Sequence, residues 1–533
     1  MSPHPLRRIR TVLAVLSIAA LTLLFLDYTG TFHHWFAWLA KVQAVPAVLA
    51  LNFVVVAALV AVTLIFGRIY CSVICPLGIL QDVFARLGHR KKKLPYKFST
   101  AHSRLRLAVL GVFIVALVLG VGSVAALLEP YGAFGRIAQN LLQPLYEWGG
   151  ALAGYVAERT GSYAVYGTEV WVRSLPTFIV AALTLVLVGT LAWRGGRTYC
   201  NAVCPVGTML GFLSRFSLLK VRIVEGKCIS CGICARHCKA SCIDSKHHKV
   251  DYSRCVACGN CLQRCSHGAL KYGMALKGEQ RGGKEELEGI KGSNVVANET
   301  AANGNGTITP PNSPITPLNS PSKGRRAFLA ATATVTATAA MAQTGMKVDG
   351  GLAAIEDAKV PRRRQPLTPP GSLSAQNMAR RCTGCQLCVS ECPNNVLRPS
   401  GGLMTLMQPE MGYERGWCRP ECNRCSKVCP AGAIQPVGHG EKVSIQIGRA
   451  VWVRQNCIVT AGGADGPSVR CGHCAEVCPN GAIAMVADKE NPDRLIPTVN
   501  AARCIGCGAC EHLCPARPFT GIYVEGLEQH REV

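Results

Sequence analysis

Cysteine carries the most concentrated chemistry in this chain: there are 29 in 533 residues, and most of them fall into regular groups. The run Cys228-x2-Cys231-x2-Cys234-x3-Cys238 is followed by Cys255-x2-Cys258-x2-Cys261-x3-Cys265. Three closely spaced thiolates hold three irons of one cube, and the fourth reaches across to the neighbouring cube. The spacing therefore predicts one [4Fe–4S] cluster on Cys228, Cys231, Cys234 and Cys265, and another on Cys255, Cys258, Cys261 and Cys238. Zinc also accepts four thiolates, but its usual sites pair two short CxxC knuckles. Three close ligands with a distant fourth favour the cube. Proline ordinarily follows the fourth cysteine; here Lys239 and Ser266 do, and Cys242 adds a thiol that is an alternative ligand.

Nearer the C-terminus the pattern repeats in four groups. Cys382, Cys385, Cys388 and Cys392 are regular. Cys418, Cys422, Cys425 and Cys429 open with a wider gap. Cys457 is separated by an insertion from Cys471, Cys474 and Cys478. Cys504, Cys507, Cys510 and Cys514 are regular again. Each group ends in proline, at Pro393, Pro430, Pro479 and Pro515. These thiolates predict four more cubes, six in all, with the grouped cysteines as iron ligands. The expected pairing is outer group with outer and inner with inner, and sequential pairing is the alternative. Small and apolar residues after the cysteines, in Ala431-Gly432-Ala433-Ile434 and Asn480-Gly481-Ala482-Ile483, suit a dry shell whose backbone N–H groups bond to sulfur.

Four further cysteines form two matching pairs, Cys71-x3-Cys75-Pro76 and Cys200-x3-Cys204-Pro205, each just after an apolar stretch and preceded by Gly67-Arg68-Ile69-Tyr70 or Gly196-Arg197-Thr198-Tyr199. The duplication predicts an internal repeat of two two-helix halves, with i, i+4 spacing placing both thiols of a pair on one helical face. Four roles are open to them: a redox thiol pair, the lining of a quinol site, a metal held between the halves, or small buried residues. No CxxCH occurs, so covalent haem has no attachment site. There is no P-loop and no GxGxxG turn after a strand, so nucleotide chemistry has no visible home. His33 and His34, beside Trp35 and Trp38, read as a membrane-surface feature, with contact to a quinol or haem as the alternative.

The elements that must position these groups begin with four apolar stretches, Val12–Leu26, Ala47–Phe66, Leu107–Leu128 and Phe178–Trp193, read as transmembrane helices of about 20 residues each. Lys and Arg number three in 1–10, nine in 67–106 and five in 194–222, against one in 27–46 and three in 129–175. The positive-inside rule then places the N-terminus, the middle loop and the chain after the fourth helix in the cytoplasm. The expected organisation is a four-helix membrane domain over 1–220 and a two-cluster ferredoxin domain over 221–273. A Gly-, Asn-, Thr-, Ser- and Pro-rich linker over 274–322 cannot bury a core. Residues 323–343, opening on Lys323-Gly324-Arg325-Arg326, read as a twin-arginine export signal; a basic linker is the alternative. A second linker, 344–375, leads to the four-cluster domain, 376–533. The fold class expected is an α-helical membrane domain joined to α+β ferredoxin-like domains.

Net charge is +26, a balance that raises the question of nucleic acid. Four thiolates around an oxidised cube leave about −2 per site, and six loaded sites would bring the chain to roughly +14. The densest basic run, Arg90-Lys91-Lys92-Lys93, lies between apolar stretches, where it orients helices. Nucleic acid is not an expected partner.

Taken together these motifs resemble the NapH and NapG proteins of periplasmic nitrate respiration, joined in one chain. Residues 1–273, with Cys71-Ser72-Val73-Ile74-Cys75-Pro76, Cys200-Asn201-Ala202-Val203-Cys204-Pro205 and two ferredoxin runs, are similar to NapH; residues 323–533, with paired arginines and four cluster groups, are similar to NapG. The resemblance implies a component of a quinol dehydrogenase in anaerobic respiration. It would sit in the bacterial inner membrane with its four-cluster domain in the periplasm, and pass electrons from quinol to a periplasmic reductase or cytochrome c. An assembly or regulatory factor for a partner metalloenzyme is the reading from a different class.

Overall fold

The computed structural model describes residues 5–27, 30–92, 96–160, 171–274, 347–349, 353–355, 357–460 and 470–533. The expected linker from 275 to 322 and the twin-arginine segment 323–343 lie outside these residues. The chain divides into one large unit, 1–275 with 358–533, and a small one, 276–357. Within the small unit the described residues form a hairpin of Lys347–Asp349 and Ala353–Ile355.

The large unit starts as a helix bundle. Two of its helices, α1 (Pro5–Leu26) and α11 (Leu175–Gly195), are long and apolar enough to cross a membrane. Each of the other two apolar stretches is a pair of helices. Residues 47–66 break into α3 (Ala44–Leu49) and α4 (Phe53–Phe66), because Asn52 caps the second helix through its side chain on Val55 N. Residues 107–128 break into α7 (Ser103–Leu119) and α8 (Gly122–Leu128) at Gly120, whose left-handed backbone ends the first helix. The remaining helices of this part are α2 (Thr31–Lys41), α5 (Tyr70–Val73), α6 (Pro76–Lys92), α9 (Pro130–Ile137), α10 (Gln143–Arg159), α12 (Thr198–Ala202) and α13 (Pro205–Ser214). A π-helical turn, Ala138–Leu142, joins α9 to α10. Leu13, Leu16, Val112, Val115, Leu183 and Leu187 stand exposed on the outside of the bundle.

Two cysteine-rich blocks follow. In the first, β1 (Lys220–Ile223) pairs antiparallel with β4 (Leu270–Gly273), and β2 (Ile243–Asp244) with β3 (Lys249–Val250). The short helices Ile233–Arg236 and Asn260–Arg264 pack on these two pairs, the first against β2 and the second against β4. In the second block three antiparallel pairs frame the cysteine loops: Leu397–Pro399 with Pro409–Met411, Ile483–Ala487 with Leu495–Val499, and Ile445–Trp452 with Ile522–Glu532.

The blocks sit at opposite ends of the bundle. At its start α1 brings Arg7 against Gly259 of the first block, and its far end packs on the helix Leu387–Ser390 of the second. At 1.5 Å per residue, α1 is about 33 Å long. The same arrangement repeats on α7, where Arg106 bonds Ser253 and Gly120 meets Arg380, and on α11, where Pro176 meets Gly401 and Gly196 meets Lys239.

Candidate functional site

In the first block Gly232 and Gly259, both left-handed, turn the chain into the two short helices and present the cysteine loops inward. Cys238, Cys255, Cys258 and Cys261 line one cavity, walled by Val221, Ile243, Val250 and Val256. This is the crossed grouping expected from the spacing. Cys242 lines the same cavity, with its Sγ 3.5 Å from Cys238 Sγ. Cys234 lies beside Cys228 and Cys231, and Cys265 packs on the same small core.

Lys239, standing where proline is usual, has a structural reason. It is buried, and its ammonium meets the Asp82 carboxylate of α6. Arg197 binds the same carboxylate through two bonds of 2.8 Å, and Arg10 adds a third cation at 3.2 Å. Burial alone would raise the Asp82 pKa, but Arg197 and Lys239 hold it well below the usual carboxylate range. The first block is thereby plugged into the bundle.

In the second block the pairing is sequential, which corrects the outer-with-outer expectation. Cys504, Cys507 and Cys510 share a cavity with Cys478 of the preceding group. Cys457, Cys471 and Cys474 share theirs with Cys514 of the following group. Upstream, Cys429 neighbours Cys382, Cys385 and Cys388, while Cys392 neighbours Cys418 and Cys425; Cys422 sits beside the same two. The cause is local helix packing: Leu387–Ser390 lies on Arg424–Val428, and His473–Glu476 on Ala509–His512. Of the insertion after Cys457, residues 461–469 lie outside the described chain.

Backbone amides point at the sulfurs. Gly384 N bonds Cys382 Sγ, Ile434 N bonds Cys429 Sγ, Ala482 N bonds Cys478 Sγ, Ala450 N bonds Cys504 Sγ and Gly521 N bonds Cys514 Sγ, at 3.2–3.4 Å. Ile434 and Ala482 belong to the stretches expected to do this. The two modules join where Cys418 N donates to Cys507 O at 3.0 Å, with Tyr413 buried against Gly508 and its hydroxyl on Gly506 O. Each cysteine group thus neighbours the next, from the Cys382 group to the Cys418 group, to the Cys504 group and to the Cys457 group.

The CxxxCP pairs meet inside the bundle, and all four thiols are buried. Cys75 neighbours Cys200 and Cys71, and Cys204 neighbours Cys200, Cys75 and Cys71. The expectation that each pair shares one helical face is corrected. The short helices α5 and α12 end before the second cysteine, because Pro76 and Pro205 start new helices and cannot extend the old ones. Cys204 instead caps α13, accepting from Gly207 N at 3.3 Å. The two halves clasp reciprocally: Arg197 Nη1 donates to Cys71 O at 2.6 Å, and Arg68 Nη2 to Cys200 O at 3.4 Å. Sequence reading noticed the repeated Gly-Arg contexts but not this exchange, which joins residues more than a hundred positions apart. His33 is buried, with Nδ1 2.9 Å from Glu391 of the second block, so it is a docking residue and not a surface feature.

Comparison with known proteins agrees on the chemistry. A family model described as a 4Fe-4S binding domain matches residues 48–95 and 175–223, the two CxxxCP halves; a second of that description matches 248–271 and 378–398; and a 4Fe-4S dicluster domain matches 469–517. The methylamine utilization ferredoxin-type protein MauM of Methylophilus methylotrophus is 31% identical over 172 residues, 30% of this chain and 71% of that protein. Ferredoxin-type protein NapF of Escherichia coli K12 is 28% identical, over 34% of this chain and 98% of NapF. The putative electron transport protein YccM of the same organism is 24% identical over 36% of this chain, which spans about half of YccM's own length, 47%. No solved structure matches. With several [4Fe–4S]-binding domains and cysteine cavities of ferredoxin pattern, the chain belongs to the ferredoxin-type iron–sulfur proteins.

Proposed function

We propose that this protein is a membrane-bound electron carrier that takes electrons from a quinol and passes them through six [4Fe–4S] clusters to a redox partner, a periplasmic reductase or cytochrome c. The ligands are the grouped cysteines, paired as their shared cavities pair them. The protein fixes cluster spacing and tunes potential; the redox chemistry is that of the clusters. The observation that carries the reading is a set of thiol-walled cavities in both blocks, each closed by a cysteine from its neighbouring group. The names of YccM, MauM and NapF, an electron transport protein and two ferredoxin-type proteins, agree with it.

A membrane site is supported by the apolar exterior of the bundle and by α10, whose Leu145, Trp148, Leu152 and Tyr155 stand exposed at helical spacing, as in a helix lying at a membrane surface. We take the four apolar stretches as four spans, two of them interrupted. The positive-inside rule puts the first block in the cytoplasm, and a second block docked at the opposite end of the helices then lies outside, as an export signal at 323–343 requires. Quinol has a candidate entry. A cavity of about 390 Å³ lies between α1, α6 and the first block, lined by Arg10, Asp82, Tyr96, His237 and Lys239, with Val15 and Leu87 on its apolar side. His237 and Lys239 flank Cys238, so an electron leaving there has a cluster next to it. Quinol added to purified membranes should reduce the clusters and give a ferredoxin-type EPR signal. Clusters that dithionite reduces but quinol does not would refute the quinol assignment.

A further inference from the structure

We propose that Cys71, Cys75, Cys200 and Cys204 together hold a seventh iron–sulfur cluster inside the helix bundle, and that this centre carries electrons between the two ferredoxin blocks. The inference rests on the electron-transfer reading above and deepens it.

The donor set comes first. Four thiols from two halves of the chain converge, and all-sulfur ligation selects iron–sulfur clusters or zinc. Zinc is redox-inert, so in a chain of electron carriers the iron–sulfur cluster is the centre this donor set serves. Gly78 and Gly207 stand at matching positions after the two prolines, where a Cβ would collide with the carbonyl oxygen of Cys71 or Cys200. Each half thus packs its cysteine turn against bare backbone.

Charge is the second argument. Arg68 is fully buried, and its described partners are all neutral or thiol: Asn201 Oδ1, Ser253 O, Cys200 O and, at 3.9 Å, Cys71 Sγ. A buried cation without a counter-anion is costly. A cluster with four thiolates carries about −2 in its oxidised state and would supply that anion where the Arg68 guanidinium meets Cys71.

Position is the third. On one side Arg197 N bonds Lys239 O, and Asn201 bonds Ala240 O, one and two residues past Cys238; Arg68 bonds Ser253 O, two before Cys255. On the other side Tyr199 neighbours both Cys204 and Arg136, and Arg136 bonds Gly384 O, next to Cys385. The four thiols stand between the Cys238 and Cys255 turns of the first block and the Cys385 turn of the second. Tunnelling falls off steeply with distance, and a bundle about 33 Å long needs a stepping stone. The step is a one-electron exchange: an iron of the bundle cluster goes from ferric to ferrous as the first-block cluster is oxidised, then returns as the second-block cluster is reduced. No covalent bond changes.

The test is iron and acid-labile sulfide per full-length, detergent-purified chain, with Mössbauer spectra, for wild type and for Cys75→Ala/Cys204→Ala. Six clusters account for about 24 irons; a seventh raises that to about 26 or 28 for a two-iron or four-iron core. The expected result is this excess in wild type, its loss in the double variant, and second-block clusters that quinol no longer reduces. Should the variant fail to fold, the wild-type count alone decides. A wild-type count of 24, one bound zinc, or a disulfide within either pair would overturn the seventh centre and leave the six-cluster reading intact. A count far below 24 would overturn both.

Discussion

The two CxxxCP halves repeat with an offset of 129 positions, and what they keep differs from what they change. Both keep a left-handed glycine (Gly67, Gly196), then arginine, tyrosine, two cysteines, proline and a glycine packed on backbone. Among the positions that differ, Gln81-Asp82 of the first half answers to Leu210-Gly211 of the second, three residues after that glycine. The shared residues build the thiol centre. The divergent ones meet an asymmetric neighbour: Asp82 grips Lys239, and Gly211 leaves room for Ser253 O and Arg106. The duplicated unit thus meets the first ferredoxin block asymmetrically, through Asp82 of one half and Gly211 of the other.

Breaking the repeated arginines should give the largest effect, and an unequal one. Arg197→Ala strips Asp82 of its bidentate partner and leaves a buried carboxylate facing Lys239 and Arg10 alone; losing one member of such a buried network costs about 3–5 kcal/mol. In protein freed of iron by chelation, Arg68→Ala removes a cation whose partners are neutral, at about 1–3 kcal/mol for the carbonyls left unpaired. Thermal unfolding of the iron-free variants in detergent should rank Arg197→Ala as clearly the less stable. Equal losses would mean that the Asp82 network does not hold the block.

At Gly211 the asymmetry can be erased by one methyl group. Gly211→Ala drives a Cβ into Ser253 O and the Arg106 guanidinium, an overpacking cost of about 1–3 kcal/mol. The strain falls on the first block, so limited proteolysis within 221–273 should accelerate while the second block stays resistant. The same change at Gly189, whose nearest neighbour is the Phe84 ring at 3.6 Å, should leave proteolysis unchanged.

Much of this was legible in the cysteines, because a ligand run is local and its spacing alone encodes a cube. The crossed grouping of Cys238 with Cys255, Cys258 and Cys261 followed from that. The partners of Cys392, Cys429, Cys478 and Cys514 did not, since sequential pairing depends on which short helices pack, and each group looks alike in sequence. Hydropathy located the apolar stretches but passed over Gly120 and Asn52, single residues that end or cap a helix without lowering a window average. Lys239 read only as a missing proline, because its reason lies on α6, more than 150 positions away. The export segment at 323–343 stays a matter of composition and spacing.

The smallest change is the sharpest, because it makes the first half resemble the second. Gln81 is buried, with Nε2 3.1 Å from Cys200 Sγ and Oε1 without a hydrogen-bond partner. Gln81→Leu, copying Leu210, removes one N–H···S bond and also an unsatisfied carbonyl; the two offset each other, so stability should move by less than about 1 kcal/mol. A thiolate that belongs to a cluster responds otherwise, since hydrogen bonds to sulfur raise the reduction potential by stabilising the more negative state. Redox titration followed by EPR should then show one component shifted to lower potential, with the ferredoxin components unmoved. If the thiols at the helix ends are only packing, Gln81→Leu changes no redox component, and the repeat is structural scaffolding.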